Sequence, residues 1–494
     1  MSDAPAYAAL KAHRTRIHNL EHLQALGSWD RMTKMPPGGA KARAAAQGEL
    51  AALLQRMASD PSLDALLADA ASETLAPDDA ANLALMARER ALAQAQTEGL
   101  VQRRAELVRA ASHAWSEAKD QDSWAVFAPA LGDLLDAVRE EAARIGDRLG
   151  LSPYDALLDR HDRGLRHARV TALFDSVAGW LPELTARIVA RQASETVIEP
   201  AGPFDLDRQH ALCVAAMTLL GFDFAGGRLD TSHHPFTGGV PEDVRLTTRY
   251  RADAFLPALL GVVHETGHGL YQAGLPRAWA GQPLGEPCSA AMHEAQALSF
   301  ERQLARTPAF AARLAPLLRD AFGDQSAFAP DNLLGLMTRV RPGPVRVDAD
   351  EVTYPAHILL RTEIEAALID GGLAVADVPA RWDEGMARLL GVDTCGRHRD
   401  GALQDIHWSQ GMFGYFPSYL IGAAIAAQLA ARFRAEHPGV ETDPARLGDY
   451  AAWLAPNVWH RGAALTTEAL VAEVTGERLS DAALRAHLEQ RYLG

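Results

Sequence analysis

Apolar side chains recur at three- and four-residue spacing from about position 5 to about position 195. That period commits this part of the chain to helices packed on helices. Leu131, Leu134, Leu135, Val138, Ala142 and Ile145 are the clearest instance. The pattern breaks at Met35-Pro36-Pro37-Gly38-Gly39 and turns at Gly150 to Pro153, because proline removes an amide donor and glycine admits turn conformations. Alanine, leucine and arginine dominate and aromatic residues make up only 6% of the chain, which favours helix over strand throughout. One region differs. At 222–250 Gly, Thr, Pro and Phe cluster, and Val244, Leu246 and Thr248 alternate with Arg245, Thr247 and Arg249. That alternation predicts a short β-hairpin. Further helices are expected from near Pro355, after the breaker Arg341-Pro342-Gly343-Pro344, and at about 417–436.

The 494 residues show no repeat and no low-complexity linker, so one integrated domain over 1–494 is expected. A hydrophobic share of 48% against 22% charged marks a globular chain. A net charge of −15 argues against nucleic-acid binding. Cys213, Cys288 and Cys395 are scattered, with no CxxC pair, which points to a reducing compartment. Residues 1–20 have no unbroken apolar run of the signal-peptide kind. The most apolar stretch, Tyr419 to Phe433, is interrupted by Gln428 and Arg432 and is too short to cross a bilayer. A cytoplasmic protein with no membrane partner is expected.

The chemistry concentrates at His264-Glu265-Thr266-Gly267-His268, an HEXXH pattern. Two histidines four apart share one helix face, close enough to hold one Zn²⁺, and Glu265 beside them is placed to act as general base. Phe255, Leu256, Leu259, Leu260, Val262 and Val263 before the motif, and Leu270 and Tyr271 after it, predict a buried helix. No histidine lies six residues beyond His268, so the third ligand comes from another segment. Glu286, His293, Glu294 and Glu301 are the candidates. Glu286 falls between Pro283 and Pro287 in an expected loop, whereas the residues from Ser289 read as a helix with Glu294 near its start. Glu294 is therefore the expected ligand. His293, about 100° away, is expected to pack or to support a ligand, and Glu301 to be solvated or ion-paired.

These segments resemble one family, the carboxypeptidase Taq family of zinc metallopeptidases. The resemblance is carried by the zinc motif through Gly274-Leu275 and by His293-Glu294-Ala295-Gln296. Upstream stand Trp29-Asp30, His234-Pro235-Phe236 and Asp243-Val244-Arg245-Leu246-Thr247. Downstream stand Val345-Arg346-Val347-Asp348-Ala349-Asp350-Glu351, Gly401 to Trp408, and Gly414-Tyr415-Phe416-Pro417. The order is kept over roughly residues 5–494. Ala295 stands where serine is usual, Ser299-Phe300 is read as replacing an aromatic–acidic pair, and Pro355 and Met412 also depart from the pattern.

The resemblance implies a mainly α, two-lobed fold with a deep central cleft, similar to neurolysin and angiotensin-converting enzyme. A helical region at about 1–120 would cover the cleft and a zinc-site region would span about 225–420. It further implies a homodimer and removal of single residues from peptide C-termini with broad tolerance. One zinc per subunit is expected, and the sequence leaves cobalt open as the alternative metal.

Within that frame His407 and Tyr415 are candidate donors to the oxyanion, His407 having the alternative of a core histidine. A free substrate carboxylate calls for a guanidinium, and Arg346 and Arg245 are the candidates. Their alternatives are surface pairs with Asp348 and Asp243. His234 either contacts substrate or caps the hairpin. The charged run from Asp159 to His167 reads as a solvated turn. An oligoendopeptidase of the same fold and a non-catalytic zinc- or peptide-binding protein are the competing functions.

Overall fold

A computed structural model describes residues 4–494. The helices expected from periodicity are present. Pro5–Thr33, Ala40–Ala58, Ser62–Ala71, Pro77–Ala95 and Glu98–Gln121 fill the N-terminal part, and the breaker becomes a 3₁₀ turn at Pro37–Gly39. The Trp124–Leu149 helix buries Leu131, Leu134, Leu135, Val138, Ala142 and Ile145 along one face, each large side chain contributing about 1.5–3 kcal/mol. Gly150 ends it in the left-handed conformation. Ser152 then caps Pro153–His161 by accepting from the Asp155 amide. Some N-terminal helices are less amphipathic than the spacing suggests. Pro5–Thr33 fully buries only Tyr7, Leu10 and Trp29 and Ala40–Ala58 fully buries no residue; Leu23, Met32 and Leu53 are exposed.

The chain divides into two compact units, each assembled from three segments. One contains residues 1–93, 197–337 and 429–478; the other contains 94–196, 338–428 and 479–494. In the first unit Tyr7, Leu10, Leu63, Ala70, Leu83 and Met86 form a core among the N-terminal helices. The same unit holds the sheet. Its strands β1 (Gly227–Thr231), β2 (Thr237–Val240) and β3 (Asp243–Thr248) lie in the order β1-β3-β2. The expected hairpin is β2–β3, antiparallel with Thr237 opposite Leu246. A parallel partner, β1, pairs Leu229 with Leu246 on its other side, so the hairpin is part of a larger sheet. Thr247, which alternates with Leu246 and Thr248 along the strand, is buried as they are. Its hydroxyl accepts from the Ser232 hydroxyl at 2.8 Å and the Phe236 amide at 3.0 Å.

The Leu256–Ala273 helix packs on β3 and on Leu206–Leu219, and its Leu259, Val262, Val263, Leu270 and Tyr271 are buried. In the second unit the helices Tyr354–Ile369 and Pro417–Glu436 start at the expected positions; Pro417–Glu436 runs on past Gln428 into residues of the first. No helix among the described residues is long and apolar enough to cross a membrane.

Candidate metal centre

His264 and His268 project from the middle of Leu256–Ala273, and Glu294 from Ala290–Leu298. Two local devices bring these helices together. Ser289 caps the second helix, its hydroxyl accepting from the Met292 amide at 3.0 Å, which fixes where the helix starts and so where Glu294 points. Gly267 permits the approach: a Cβ there would lie 2.5 Å from the Gln296 carbonyl oxygen and 2.7 Å from the Ala297 Cα. Backbone meets backbone between the two histidines.

The ligand atoms of His264, His268 and Glu294 all lie within 4.8 Å of one another. Both Nε2 atoms face one carboxylate oxygen, Glu294 Oε2, at 4.0 and 3.8 Å. The two Nδ1 atoms are already engaged. His264 Nδ1 lies 3.1 Å from Glu301 Oε2, and His268 Nδ1 lies 2.6 Å from His293 Nδ1. Fixing Nδ1 leaves Nε2 as the outward donor on each ring, so this set fits a divalent cation. Burial pushes the His264 imidazole down, but the Glu301 hydrogen bond and the nearby carboxylates lift it to about 9. Burial and the neighbouring His293 hold His268 well below its usual range.

Glu301 carries more than spacing suggested. It is held by Arg306 at 2.8 Å and Arg302 at 3.8 Å; burial raises its carboxyl, yet His264 and these arginines bring it down to about 2. It is ion-paired, as expected, but it also orients a histidine of the triad. It sits on a π-helical turn, Ser299–Leu304, and Phe300-Glu301 is itself an aromatic–acidic pair, one residue on from where the sequence reading placed the departure. Glu265 is buried, which raises its carboxyl. The Thr237 hydroxyl of β2 donates to its Oε2 at 2.6 Å, a partner that spacing gave no sign of. Glu286, the rejected loop candidate, faces Arg14 and His18 instead.

Arg245 and His234 are in the same unit. Arg245 donates to Asp243 at 2.5 and 2.8 Å and stacks over Trp29, 4.6 Å from the ring centre. His234 is exposed, and its carbonyl accepts from the Ser232 hydroxyl at 2.6 Å.

The second unit holds Arg346, His407 and Tyr415. Arg346 does not pair with Asp348 at the surface; it is buried and donates to Asp405 at 2.9 Å. Arg361 donates to the other Asp405 oxygen at 2.6 Å. Two guanidiniums on one carboxylate leave a net positive charge, and although burial opposes it, they hold Asp405 well below the carboxylate range. His407 lies against Phe416, ring centres 4.4 Å apart, with Nε2 3.1 Å from the Tyr419 hydroxyl. Burial takes its imidazole down to about 4, so it is neutral at pH 7. Tyr415 packs edge-on against His161 at 5.1 Å. The run from Asp159 to His167 is not a solvated turn. Asp159 and Asp162 are buried, and Asp159 accepts from the Gly164 amide and from Arg166, both at 2.8 Å.

Relatives match the chain along almost its whole length. Thermostable carboxypeptidase 1 of Thermus thermophilus is 33% identical over 506 residues, covering 100% of this chain and 99% of the relative. Carboxypeptidase 1 of Bacillus subtilis is 30% identical, covering 97% and 96%. Among solved structures, metallocarboxypeptidase 1 of Trypanosoma cruzi superposes with a TM-score of 0.97 at 40% identity, over 99% of this chain and 100% of that one. An M32 carboxypeptidase of Deinococcus radiodurans gives 0.93 at 31%, over 99% and 100%. The family model for the carboxypeptidase Taq (M32) metallopeptidases matches residues 9–492. With that match running almost from end to end, the chain belongs to the carboxypeptidase Taq (M32) family of metallopeptidases.

Proposed function

We propose that this metallocarboxypeptidase removes single amino acids from the C-termini of peptides with broad side-chain tolerance, and that residues 1–494 work as one peptidase domain. The observation that carries the reading is the convergence of His264, His268 and Glu294 beside a buried Glu265. Zinc is the proposed metal, with cobalt as a substitute, since two imidazoles and one carboxylate make a donor set suited to it. When bound it supplies positive charge to the scissile carbonyl and to the attacking water.

The side chains do the rest. Glu265 takes the proton from water on its carboxylate and delivers it to the leaving nitrogen, its raised basicity matching both steps. Thr237, donating to Oε2, holds that carboxylate in one orientation. His407 and Tyr415 are assigned as hydrogen-bond donors to the oxyanion, on the motif resemblance and on their chemistry. Arg346 is the preferred partner of the substrate carboxylate. Arg346 and Arg361 share one acidic group, whereas Arg245 is matched one-to-one with Asp243. His234 remains a candidate contact with substrate.

A homodimer in the cytoplasm completes the proposal; three cysteines that form no disulfide support the location, and the family resemblance supports the dimer.

The test is timed mass spectrometry of one peptide with a free C-terminus and of its amidated twin, using zinc- or cobalt-loaded protein. A ladder losing one C-terminal residue at a time is expected, absent with the amide and with Glu265→Gln. Internal cleavage of both peptides would make the protein an endopeptidase. No cleavage with any metal would leave a binding protein.

A further inference from the structure

The second unit holds one peptide group from both ends. The Phe413 carbonyl oxygen lies 3.3 Å from His161 Nε2, and the Gly414 amide that completes the same peptide unit donates to Glu365 Oε1 at 3.1 Å. Glu365 comes from Tyr354–Ile369 and is fully buried. The same Oε1 accepts from the Tyr154 hydroxyl at 2.8 Å, so the carboxyl is itself fixed by Pro153–His161, the helix that carries His161. Gly414 is at φ +76°, and a Cβ there would lie 2.8 Å from the Leu157 carbonyl carbon of that helix. The backbone entering Tyr415 therefore has one allowed path. His161 also packs edge-on against the Tyr415 ring at 5.1 Å.

A buried carboxyl serving only stability would be an expensive choice, since an apolar side chain of similar volume does as well or better. Here one oxygen accepts from the amide next to Tyr415 and from the tyrosine that braces it, and the carboxyl also faces the Trp408 indole. We propose that Glu365 and His161 are positioning residues for Tyr415, clamping the Phe413–Gly414 peptide so that the phenol is held in one place during turnover. The inference rests on the assignment of Tyr415 as a donor in the reaction. The clamp needs an acceptor for two donors at one oxygen, not a charge. A glutamine at 365 supplies that acceptor; an alanine does not.

Steady-state kinetics of the metal-loaded enzyme on a free-C-terminal peptide test this, with Glu365→Ala, Glu365→Gln and His161→Ala each made alone and in a Tyr415→Phe background. Glu365→Ala is expected to lower kcat roughly tenfold to hundredfold, the scale of a misplaced reacting group, with KM within about twofold. Glu365→Gln should restore most of the rate, and neither clamp substitution should slow Tyr415→Phe further. Where Glu365→Ala fails to fold, His161→Ala tests the same clamp from its more open side. Equal losses in the wild-type and Tyr415→Phe backgrounds would overturn the inference, as would an unchanged kcat in folded Glu365→Ala or His161→Ala. A fully active Tyr415→Phe enzyme would remove the role of Tyr415 and this inference with it, whereas a slow Tyr415→Phe beside unimpaired clamp variants would defeat the inference alone.

Discussion

At the scale of single residues, burial decides which charged groups have consequences. Glu365 is a carboxyl raised by burial to about 8, against the hydrogen bonds it accepts, from roughly 4.3 in an unfolded chain. Between those values the folded protein binds a proton that the unfolded one has released. The contribution of this group to stability is therefore fully present below about pH 4 and is lost as pH rises through about 8. Glu365→Gln removes that dependence. Thermal unfolding should show the variant gaining on the wild type steadily from pH 5 to pH 8.5; a constant difference across that range would contradict the shift. Glu301 makes a related point. Its distance in sequence from His264 hides a 3.1 Å contact, and it reads as an ordinary ion-paired acid until the fold brings the two elements together. For His293, beside Glu294 in sequence, the 100° step of a helix left packing and ligand support both open; its Nδ1 lies 2.6 Å from His268 Nδ1.

At the scale of elements, two of the three glycines in the Leu256–Ala273 helix are in opposite circumstances. Gly267 faces the backbone of Ala290–Leu298 at 2.5 Å from a would-be Cβ, while nothing lies within 4 Å of one at Gly261. Alanine gains about 1 kcal/mol over glycine in a helix interior. At Gly261 that gain is expected in full. At Gly267 it competes with overpacking against a carbonyl oxygen and a Cα, which costs about 1–3 kcal/mol and pushes the Glu294 helix away. Denaturant unfolding should show Gly261→Ala neutral to stabilised. Gly267→Ala should be destabilised and should bind zinc more weakly in a chelator competition. Equal behaviour of the two would dismiss the close approach as a factor in building the triad.

Across the whole molecule, each unit is stitched from three separate stretches of chain, so distant segments must be tied together within it. In the second unit the tie for the Ala482–Leu493 helix is Glu351. Its buried carboxylate accepts from Arg491 at 2.9 Å and Tyr492 at 3.0 Å, and its other oxygen lies 2.8 Å from His487 Nε2. Removing one partner of a buried charge cluster leaves the others unmatched, at a cost of about 3–5 kcal/mol. Glu351→Ala should lower stability by that order in urea unfolding, with proteolysis opening first near residues 482–494. A loss below 1 kcal/mol would mean the helix is held by its apolar face and by its remaining ties, Ser176 and Trp180 to Asp481 and Arg191 to the Gly494 carbonyl.

The sequence by itself determined the helical class, the position of the long helices and the His264–Glu265–His268 face, because each rests on a local period that the backbone imposes within a few residues. Glu294 was legible for the same reason, once Ser289 marked a helix start. The family was legible from ordered motifs along the chain. Only the tertiary structure decided the rest: that β1 joins the hairpin as a parallel strand, that Asp405 and not Asp348 holds Arg346, that Asp159 is buried, that Thr237 reaches Glu265, and that Glu365 and His161 hold one peptide. Charged and hydrogen-bonding side chains choose partners by where packing leaves them. Those partners lie 59 residues apart for Arg346 and Asp405 and 49 apart for Glu365 and Gly414, far beyond the reach of any local period.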